Sequence, residues 1–135
     1  MHACNAEYRT ILKLKLSEVF TGIQSFEEFL ELKEEEPALL AYFSTEACNV
    51  CKVLKPKVAG LIETEFPKIK LIYIKSDILP EVAAQNQVFA APTILVFFEG
   101  REYIRKSRNI GIGELQREIE RPYSMMFGTW TFQSP

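Results

Sequence analysis

The sequence predicts an α/β domain, with a mixed and mostly parallel central sheet covered by helices on both faces. Short apolar runs alternate with longer segments of helical periodicity, an arrangement typical of strand–helix–strand units. A Glu99-Gly100 turn signal separates the last two predicted strands and adds an antiparallel edge. The chain has 135 residues, of which 47% are apolar and 25% are charged, so we expect one folded domain.

The first clear element is a helix that begins at Ser25. Ser25-Phe26-Glu27-Glu28 is a capping box, in which the Ser25 hydroxyl can accept a bond from the amide three residues on, while Glu28 can reach back. Pro37 ends this helix. Residues 8–20, which precede it, fit a strand and a helical stripe equally well, and we favour a helix there.

The remaining elements are predicted from apolar runs and helical spacing. They are a strand at 39–44, a helix at 49–66, a strand at 69–74, a short helix at 80–87, strands at 93–98 and 101–105, and a closing helix at 113–121. Pro56 should kink the longest helix, because proline removes a backbone donor and clashes with the preceding turn.

Charge and hydropathy exclude two classes of partner. The net charge is −2 and the basic residues are scattered, so we expect no nucleic-acid partner. The densest apolar run, 94–98, is far too short to cross a membrane, so we expect no membrane partner. The N-terminus lacks the charged region and apolar stretch of a signal peptide, which leads us to expect a cytoplasmic location.

The chain contains three cysteines, and two of them lie close together in Cys48-Asn49-Val50-Cys51. This pair follows a predicted strand and opens a helix, where unpaired amides and the helix dipole should lower the pKa of Cys48 toward the thiolate. Cys51, one turn further in, would resolve a mixed disulfide. Such pairs also bind zinc or persist without chemistry, and those alternatives stay open here.

The third cysteine, Cys4, lies in the predicted loose start of the chain. It is either a free surface thiol or half of an intermolecular disulfide. A zinc site with four protein ligands would need all three cysteines together with His2, the only histidine, so we expect no bound metal.

Further matches, in order and spacing, resemble the thioredoxin family over residues 21–123. They are Lys52 directly after the second cysteine, Pro56, Ala91-Pro92-Thr93 ahead of a strand, and the hairpin Phe97-Phe98-Glu99-Gly100. The resemblance implies a thioredoxin fold at 21–122, an N-terminal extension at 1–20 and an aromatic C-terminal tail at 123–135. It also implies a thiol–disulfide oxidoreductase that acts on protein disulfides and receives electrons from a reductase protein, without a bound cofactor.

The resemblance also assigns roles to residues. Cys48 and Cys51 would be catalytic. A cis peptide bond at Ala91-Pro92 would lie against the disulfide and turn the Ala91 backbone toward an extended substrate, with Val50 as a further substrate contact. Lys52 and Pro56 would support the site. Without the cysteine pair, Pro92 would simply be a proline that starts a strand.

The sequence departs from the family beside the cysteines. The usual Trp-Cys-Gly-Pro-Cys is Ala47-Cys48-Asn49-Val50-Cys51 here. The family's buried acid and its lysine partner align with Tyr42 and Tyr73, a joint replacement that avoids an unpaired buried charge costing about 3–5 kcal/mol. No obvious general base remains near Cys51. Glu46, two residues before Cys48, could supply one, or it is simply a solvated charge on the loop. The alternative function is a binding or chaperone-like module with little redox turnover.

The C-terminal residues 122–135 are rich in aromatic and methionine side chains and carry almost no charge. The aromatic residues are Tyr123, Phe127, Trp130 and Phe132. Such a segment either packs on its own domain or fills a partner's groove, and the second alternative would give a dimer through the tail.

Overall fold

The structure is a computed structural model that describes residues 19–128. Its elements in chain order are β1 (Phe20–Gly22), α1 (Phe26–Glu35), β2 (Ala38–Ser44), α2 (Asn49–Glu65), β3 (Lys70–Lys75), α3 (Pro80–Gln85), β4 (Thr93–Phe98), β5 (Arg101–Ser107) and α4 (Ile112–Phe127). The strands form one five-stranded sheet in the order β1-β3-β2-β4-β5. The predicted α/β class with a mixed sheet is confirmed.

The sheet is less parallel than the sequence predicted. β3 is parallel to β1 and to β2, but β4 is antiparallel to β2 as well as to β5, so the change of direction falls in the middle of the sheet. The connection from β3 to β4 contains one short helix, α3, of only six residues. β4 begins at the edge of the sheet where β3 ended.

The start of α1 follows the predicted capping box. The Glu28 amide donates to the Ser25 hydroxyl over 3.0 Å, and the Glu28 carboxylate accepts from the Gln24 amide over 2.8 Å. Both bonds satisfy amides that a helix start leaves unpaired. The carboxylate reaches one residue further back than in the simplest form of the motif.

The helix predicted over residues 8–20 lies mostly outside the described residues, and at Phe20 it is wrong. Phe20 belongs to β1, which pairs in parallel with β3 through Phe20 and Leu71. Its ring packs edge-on against Tyr42, with centroids 5.6 Å apart. Three residues are too few to show the alternation of a strand, which is why the sequence pattern did not identify β1.

Alternate side chains of the central strands bury two separate apolar clusters. On one face, Leu40, Tyr42, Ile94 and Val96 pack under α2 and α4 with Val58, Leu115 and Ile119. On the other face, Leu39, Phe43, Leu95 and Phe97 pack under α1 and α3 with Phe29 and Val82. Because β2 is buried along its whole length, its carboxyl end is held rigidly from both sides.

The last helix is longer than predicted. It was expected to end at Arg121, but α4 continues through Pro122 to Phe127. Tyr123 explains the continuation, since its ring is buried against Phe66 with centroids 5.0 Å apart and its hydroxyl accepts a bond from the Lys68 amide over 3.2 Å. This packing outweighs the bond that proline removes. Two of the tail aromatics, Trp130 and Phe132, lie outside the described residues.

Candidate active site

The dithiol turn, residues 48–51, follows the carboxyl end of β2 and includes the first residues of α2. Cys48 is the N-cap residue of α2, and its Sγ accepts a hydrogen bond from the Cys51 amide over 3.1 Å. The turn is set up by the Cys48 amide, which donates to the Thr45 carbonyl over 3.2 Å. The two cysteines form a disulfide with their Cα atoms 5.3 Å apart.

The two sulfurs differ in access. Cys51 is only 1% exposed and belongs to the core cluster under α2. Cys48 is half-buried, and Asn49 and Val50 beside it are exposed, Val50 by 59%. A protein approaching this turn therefore meets Cys48 first. The Cys51 amide in the first turn of α2 donates to the same sulfur, and the helix start favours negative charge on it.

Beneath the turn lies the tyrosine floor, which consists of Tyr42 and Tyr73. The Tyr42 hydroxyl donates to the Cys51 carbonyl over 2.7 Å, and the two tyrosine rings stack with centroids 6.0 Å apart. Pro56 lies inside α2 and offers no amide to the Lys52 carbonyl one turn earlier. A side chain from the sheet thus ties down the backbone of the second cysteine.

Tyr42 is a donor here and not a base. Its burial, followed by the nearby Tyr73 hydroxyl, raises the pKa of Tyr42 well above its ordinary value, so the phenol stays protonated. Sequence analysis identified Tyr42 only as a substitute for the family's acid. The hydrogen bond to Cys51 has no sequence signal, because it depends on the packing of α2 over β2.

The position of the family's lysine on β3 is Tyr73, but Lys55 of α2 contacts the tyrosine floor instead. Lys55 Nζ lies 3.6 Å from the centroid of the Tyr73 ring and 5.4 Å from that of Phe20, within the range of cation–π attraction. Burial, and then the charge of Lys75, lower the pKa of the Lys55 ammonium. Sequence analysis did not single out Lys55, although its place one turn after Cys51 on the helix offered a clue.

The proline loop, residues 86–92, lies at the same edge of the sheet as the dithiol turn. Thr93 pairs with Phe43 in the β2–β4 register, so Pro92 adjoins the end of β2. The Ala91–Pro92 peptide bond is cis, and the Pro92 carbonyl accepts from the Arg108 amide over 2.8 Å. Arg108 also lines a cavity of about 390 Å³ together with Val50. The dithiol turn therefore borders this recess through Val50, and the proline loop is hydrogen-bonded to Arg108 on the recess wall.

The other end of the proline loop is held by Arg105 on β5. Its guanidinium donates to the carbonyls of Asn86, over 2.8 Å, and Gln87, over 3.1 Å. An ion pair with Glu102, at 2.7 Å, fixes the guanidinium and raises the pKa of Arg105. The loop is thus attached at one end to β5 and at the other to Arg108, the residue that follows β5.

The remaining site candidates lie at the surface. Lys52 and Pro56 are exposed on α2. Glu46 is exposed as well, and its amide donates to the Asp77 carboxylate over 3.1 Å, which braces the loop that leads to Cys48. Sequence analysis missed Asp77, which is distant in the chain. Within residues 19–128 no group of three or more histidine, cysteine or acidic side chains could hold a metal ion, and the other two proposed ligands, His2 and Cys4, lie outside this range.

A disulfide between two cysteines at a helix start, beside a proline loop, is typical of a thiol–disulfide oxidoreductase. The comparison with known families gives the same class. The family model for thioredoxin matches residues 19–121, and the chain belongs to the thioredoxin family.

Similar proteins span bacteria and plants. The chain is 30% identical to "Thioredoxin-like protein YdfQ" of Bacillus subtilis over 108 residues, which cover 80% of this chain and 96% of that protein. It is 29% identical to "Thioredoxin H2" of Arabidopsis thaliana, with 73% and 69% of the two chains covered. Mitochondrial thioredoxin 3 of Saccharomyces cerevisiae, in its oxidised form, superposes with a TM-score of 0.70 at 22% identity and covers 78% of this chain and 97% of its own. That likeness shows the fold.

No helix in the part of the chain that the structure describes is long and apolar enough to span a membrane.

Proposed function

We propose that this protein exchanges its dithiol with disulfides in other proteins, with Cys48 as the nucleophile and Cys51 as the resolving thiol. The observation that carries the proposal is the difference in access between the two sulfurs of one disulfide, Cys48 half-buried at the helix start and Cys51 1% exposed. An intermolecular reaction needs a sulfur that a partner can touch. An intramolecular one does not.

The proposed reaction is two successive exchanges. The Cys48 thiolate attacks one sulfur of the substrate disulfide, which forms a mixed disulfide and releases the other substrate sulfur as a thiolate. The Cys51 thiolate then attacks Cys48 Sγ, closes the Cys48–Cys51 disulfide and releases the second substrate thiolate. Two electrons pass from the protein to the substrate, and both released thiolates take protons from water.

We further propose that the recess beside Val50 receives the substrate. Ala91 and Pro92 would offer backbone to an extended segment, and Val50 an apolar contact, while Lys52 and Pro56 would support the turn from α2. Support comes from the cavity that joins Val50 to Arg108 and from the bond between Arg108 and Pro92. A reductase protein would return the two electrons by the same exchange, so that no bound cofactor takes part.

Trapping of mixed disulfides tests the assigned roles. In a Cys51→Ser variant the second exchange is impossible, so we expect substrate proteins to remain attached to Cys48 and to be released by a small thiol. The measurement is non-reducing electrophoresis of the purified variant after reaction with a protein disulfide. The experiment is best made in a Cys4→Ser background, because Cys4 would otherwise offer a second thiol.

The matched control is Cys48→Ser in the same background. Its one remaining cysteine, Cys51, is buried, and we expect few mixed disulfides. If Cys48→Ser captures as much substrate as Cys51→Ser, the roles of the two cysteines are assigned wrongly. If neither variant captures any, the proposed exchange with proteins is wrong.

A second candidate function is a binding or chaperone-like module with little turnover. The observation that favours it is the tyrosine floor, which offers Cys51 a neutral hydrogen-bond donor and no carboxylate. The reduction potential of the disulfide and the rate of insulin reduction distinguish the two functions. Turnover of insulin disulfides supports the oxidoreductase, and a pair that stays oxidised in the presence of a reductase supports the module.

Two further expectations stay predictions. One is the division of the chain into an extension at 1–20, a domain at 21–122 and a tail at 123–135. The other is a cytoplasmic location.

A further inference from the structure

An apolar groove lies between β5 and the second half of α4. It has a volume of about 640 Å³ and is called here the terminal groove. The residues of its wall used below are Phe98, Tyr103, Ile104, Arg121, Met125 and Met126. None of them belongs to the dithiol turn or the proline loop, so this surface is separate from the proposed site of exchange.

Two large apolar side chains on opposite walls of the terminal groove are exposed to solvent. Met125 is 72% exposed on α4, and Tyr103 is 57% exposed on β5, on the opposite wall. Large apolar side chains on two facing elements, rather than scattered singly, indicate a surface that another chain segment covers. Methionine favours such a use, since its flexible thioether adapts to the shape of an aromatic partner.

The chain itself supplies a segment at the right place. α4 ends at Phe127, next to the groove, and Gly128 has a φ of 68°, the left-handed conformation that turns the chain away from a helix axis. Seven residues, 129–135, follow. Extended, they reach about 23 Å, whereas the stretch of α4 that lines the groove, from residue 117 to 126, is about 14 Å long.

The chemistry of these residues fits the groove. Residues 129–135 contain no charged side chain, and Trp130 and Phe132 are separated by one residue. In an extended chain this spacing puts both rings on one face. The Arg121 guanidinium at the groove wall offers a cation for an aromatic ring, the preferred partner being tryptophan.

We propose that residues 129–135 of the same chain lie in the terminal groove, with Trp130 and Phe132 directed against Met125 and Tyr103. The inference concerns a surface that the exchange of disulfides does not use. It makes the C-terminal residues an intramolecular cover for the apolar gap between β5 and α4.

Trp130 is the only tryptophan of the chain, so intrinsic tryptophan fluorescence reports this segment alone. In the full-length protein we expect emission at short wavelength, weak quenching by acrylamide, and no change of either on dilution. Met125→Glu removes an apolar contact from the groove and places a carboxylate one helical turn from Arg121, where the two charges would pair and withdraw that guanidinium from an aromatic ring. The variant should therefore shift the emission to the red and increase quenching. Tyr103→Lys should do the same from the opposite wall.

The matched control is Leu30→Glu, which also replaces an exposed apolar helix residue but lies on α1, outside the groove wall. We expect its emission to equal that of the unchanged protein. Circular dichroism of each variant shows whether it folds, and two groove variants on different elements keep the test decisive if one of them does not.

Three results would overturn the proposal. Fully solvated emission in the unchanged protein means that the segment does not pack at all. Short-wavelength emission that is lost on dilution means that it fills the groove of a second copy. Short-wavelength emission that both groove variants leave unchanged means that it packs on another surface.

Discussion

The dithiol turn and the tyrosine floor adjoin each other, yet they are built in opposite ways. The turn is exposed at Val50 and half-buried at Cys48, whose sulfur accepts a hydrogen bond from the Cys51 amide. The floor is closed, and Tyr42, which is fully buried, sends a neutral hydroxyl to the backbone of Cys51. The exposure of the turn thus determines which sulfur a partner can reach, while the Tyr42 hydroxyl fixes the position of the Cys51 backbone.

The difference shows how this fold tolerates the loss of the family's buried acid. A carboxylate beneath the second cysteine would need a compensating cation, because a buried unpaired charge is strongly destabilising. Tyr42 holds the same backbone without a charge, and Lys55 lies over the outer ring of the floor as a cation on an aromatic face. The floor therefore needs no buried ion.

The largest expected effect comes from Tyr42→Asp, which puts the family's acid back without its partner. Beyond the loss of the ring, which Tyr42→Asn shares, we expect the free energy of unfolding at neutral pH to be lower by about a further 3–5 kcal/mol, because the new carboxylate is buried among apolar groups. Urea denaturation followed by circular dichroism measures it. Tyr42→Asn has nearly the same shape without the charge and is the control. Equal stabilities for the two variants would show that the floor accepts a charge.

A smaller loss is expected from Tyr42→Phe, which keeps the ring and removes the hydroxyl. The Cys51 carbonyl loses its side-chain donor, so the free energy of unfolding should fall by about 1–2 kcal/mol. Tyr73→Phe is the control, since the Tyr73 hydroxyl makes only a longer bond, 3.2 Å, to the Ser44 hydroxyl at a half-buried place. If both variants lose the same stability, the bond to Cys51 has no special weight.

The floor should also make the protein less stable in alkali. The pKa of Tyr42 is raised in the folded state, so above pH 10, the ordinary pKa of a phenol, the unfolded chain releases the proton while the folded chain retains it. Stability is complete below pH 10 and falls as the pH rises, by about 1 kcal/mol between pH 10 and 11 from this group. The unchanged protein loses this amount and Tyr42→Phe does not, so the difference in stability between them at neutral pH should shrink by about 1 kcal/mol between pH 10 and 11, as measured by thermal unfolding at each pH.

The smallest effect on stability is expected at the surface, from Val50→Ser. Val50 is 59% exposed, so the free energy of unfolding should change by less than about 0.5 kcal/mol. The rate of reaction with protein disulfides should nevertheless fall, while the rate with a small disulfide should not. Val53→Ser is the control, because Val53 is equally exposed one turn further along α2 and does not line the recess. Equal rates for both variants would exclude Val50 as a substrate contact.

The turn was far more predictable from the sequence than the floor. Cys48 and Cys51 can be identified from the sequence by their spacing and by their place between a buried strand and a helical pattern. Their local environment follows from rules about helix ends. The Tyr42 hydroxyl bond, by contrast, joins a strand to a helix nine residues away, and only the packing of α2 over β2 determines it.

The same division holds for the elements. Ser25 and Glu28 are near neighbours in the chain and carry their own signal, so the start of α1 was predicted correctly. The end of α4 was not, because the burial of Tyr123 against Phe66 joins two distant parts of the chain and outweighs the local effect of Pro122. The direction of β4 likewise becomes visible only in its pairing with β2, some fifty residues earlier in the chain.

The attachment of the proline loop to β5 has a consequence for association. Fixing one residue's backbone costs about 1–2 kcal/mol of conformational entropy, and a loose binding loop would pass that cost on to each binding event. Here Arg105 holds the carbonyls of Asn86 and Gln87, and the Arg108 amide holds that of Pro92. The ordering is completed when the protein folds. A segment that binds beside Pro92 therefore needs to lose only its own freedom, which favours its binding.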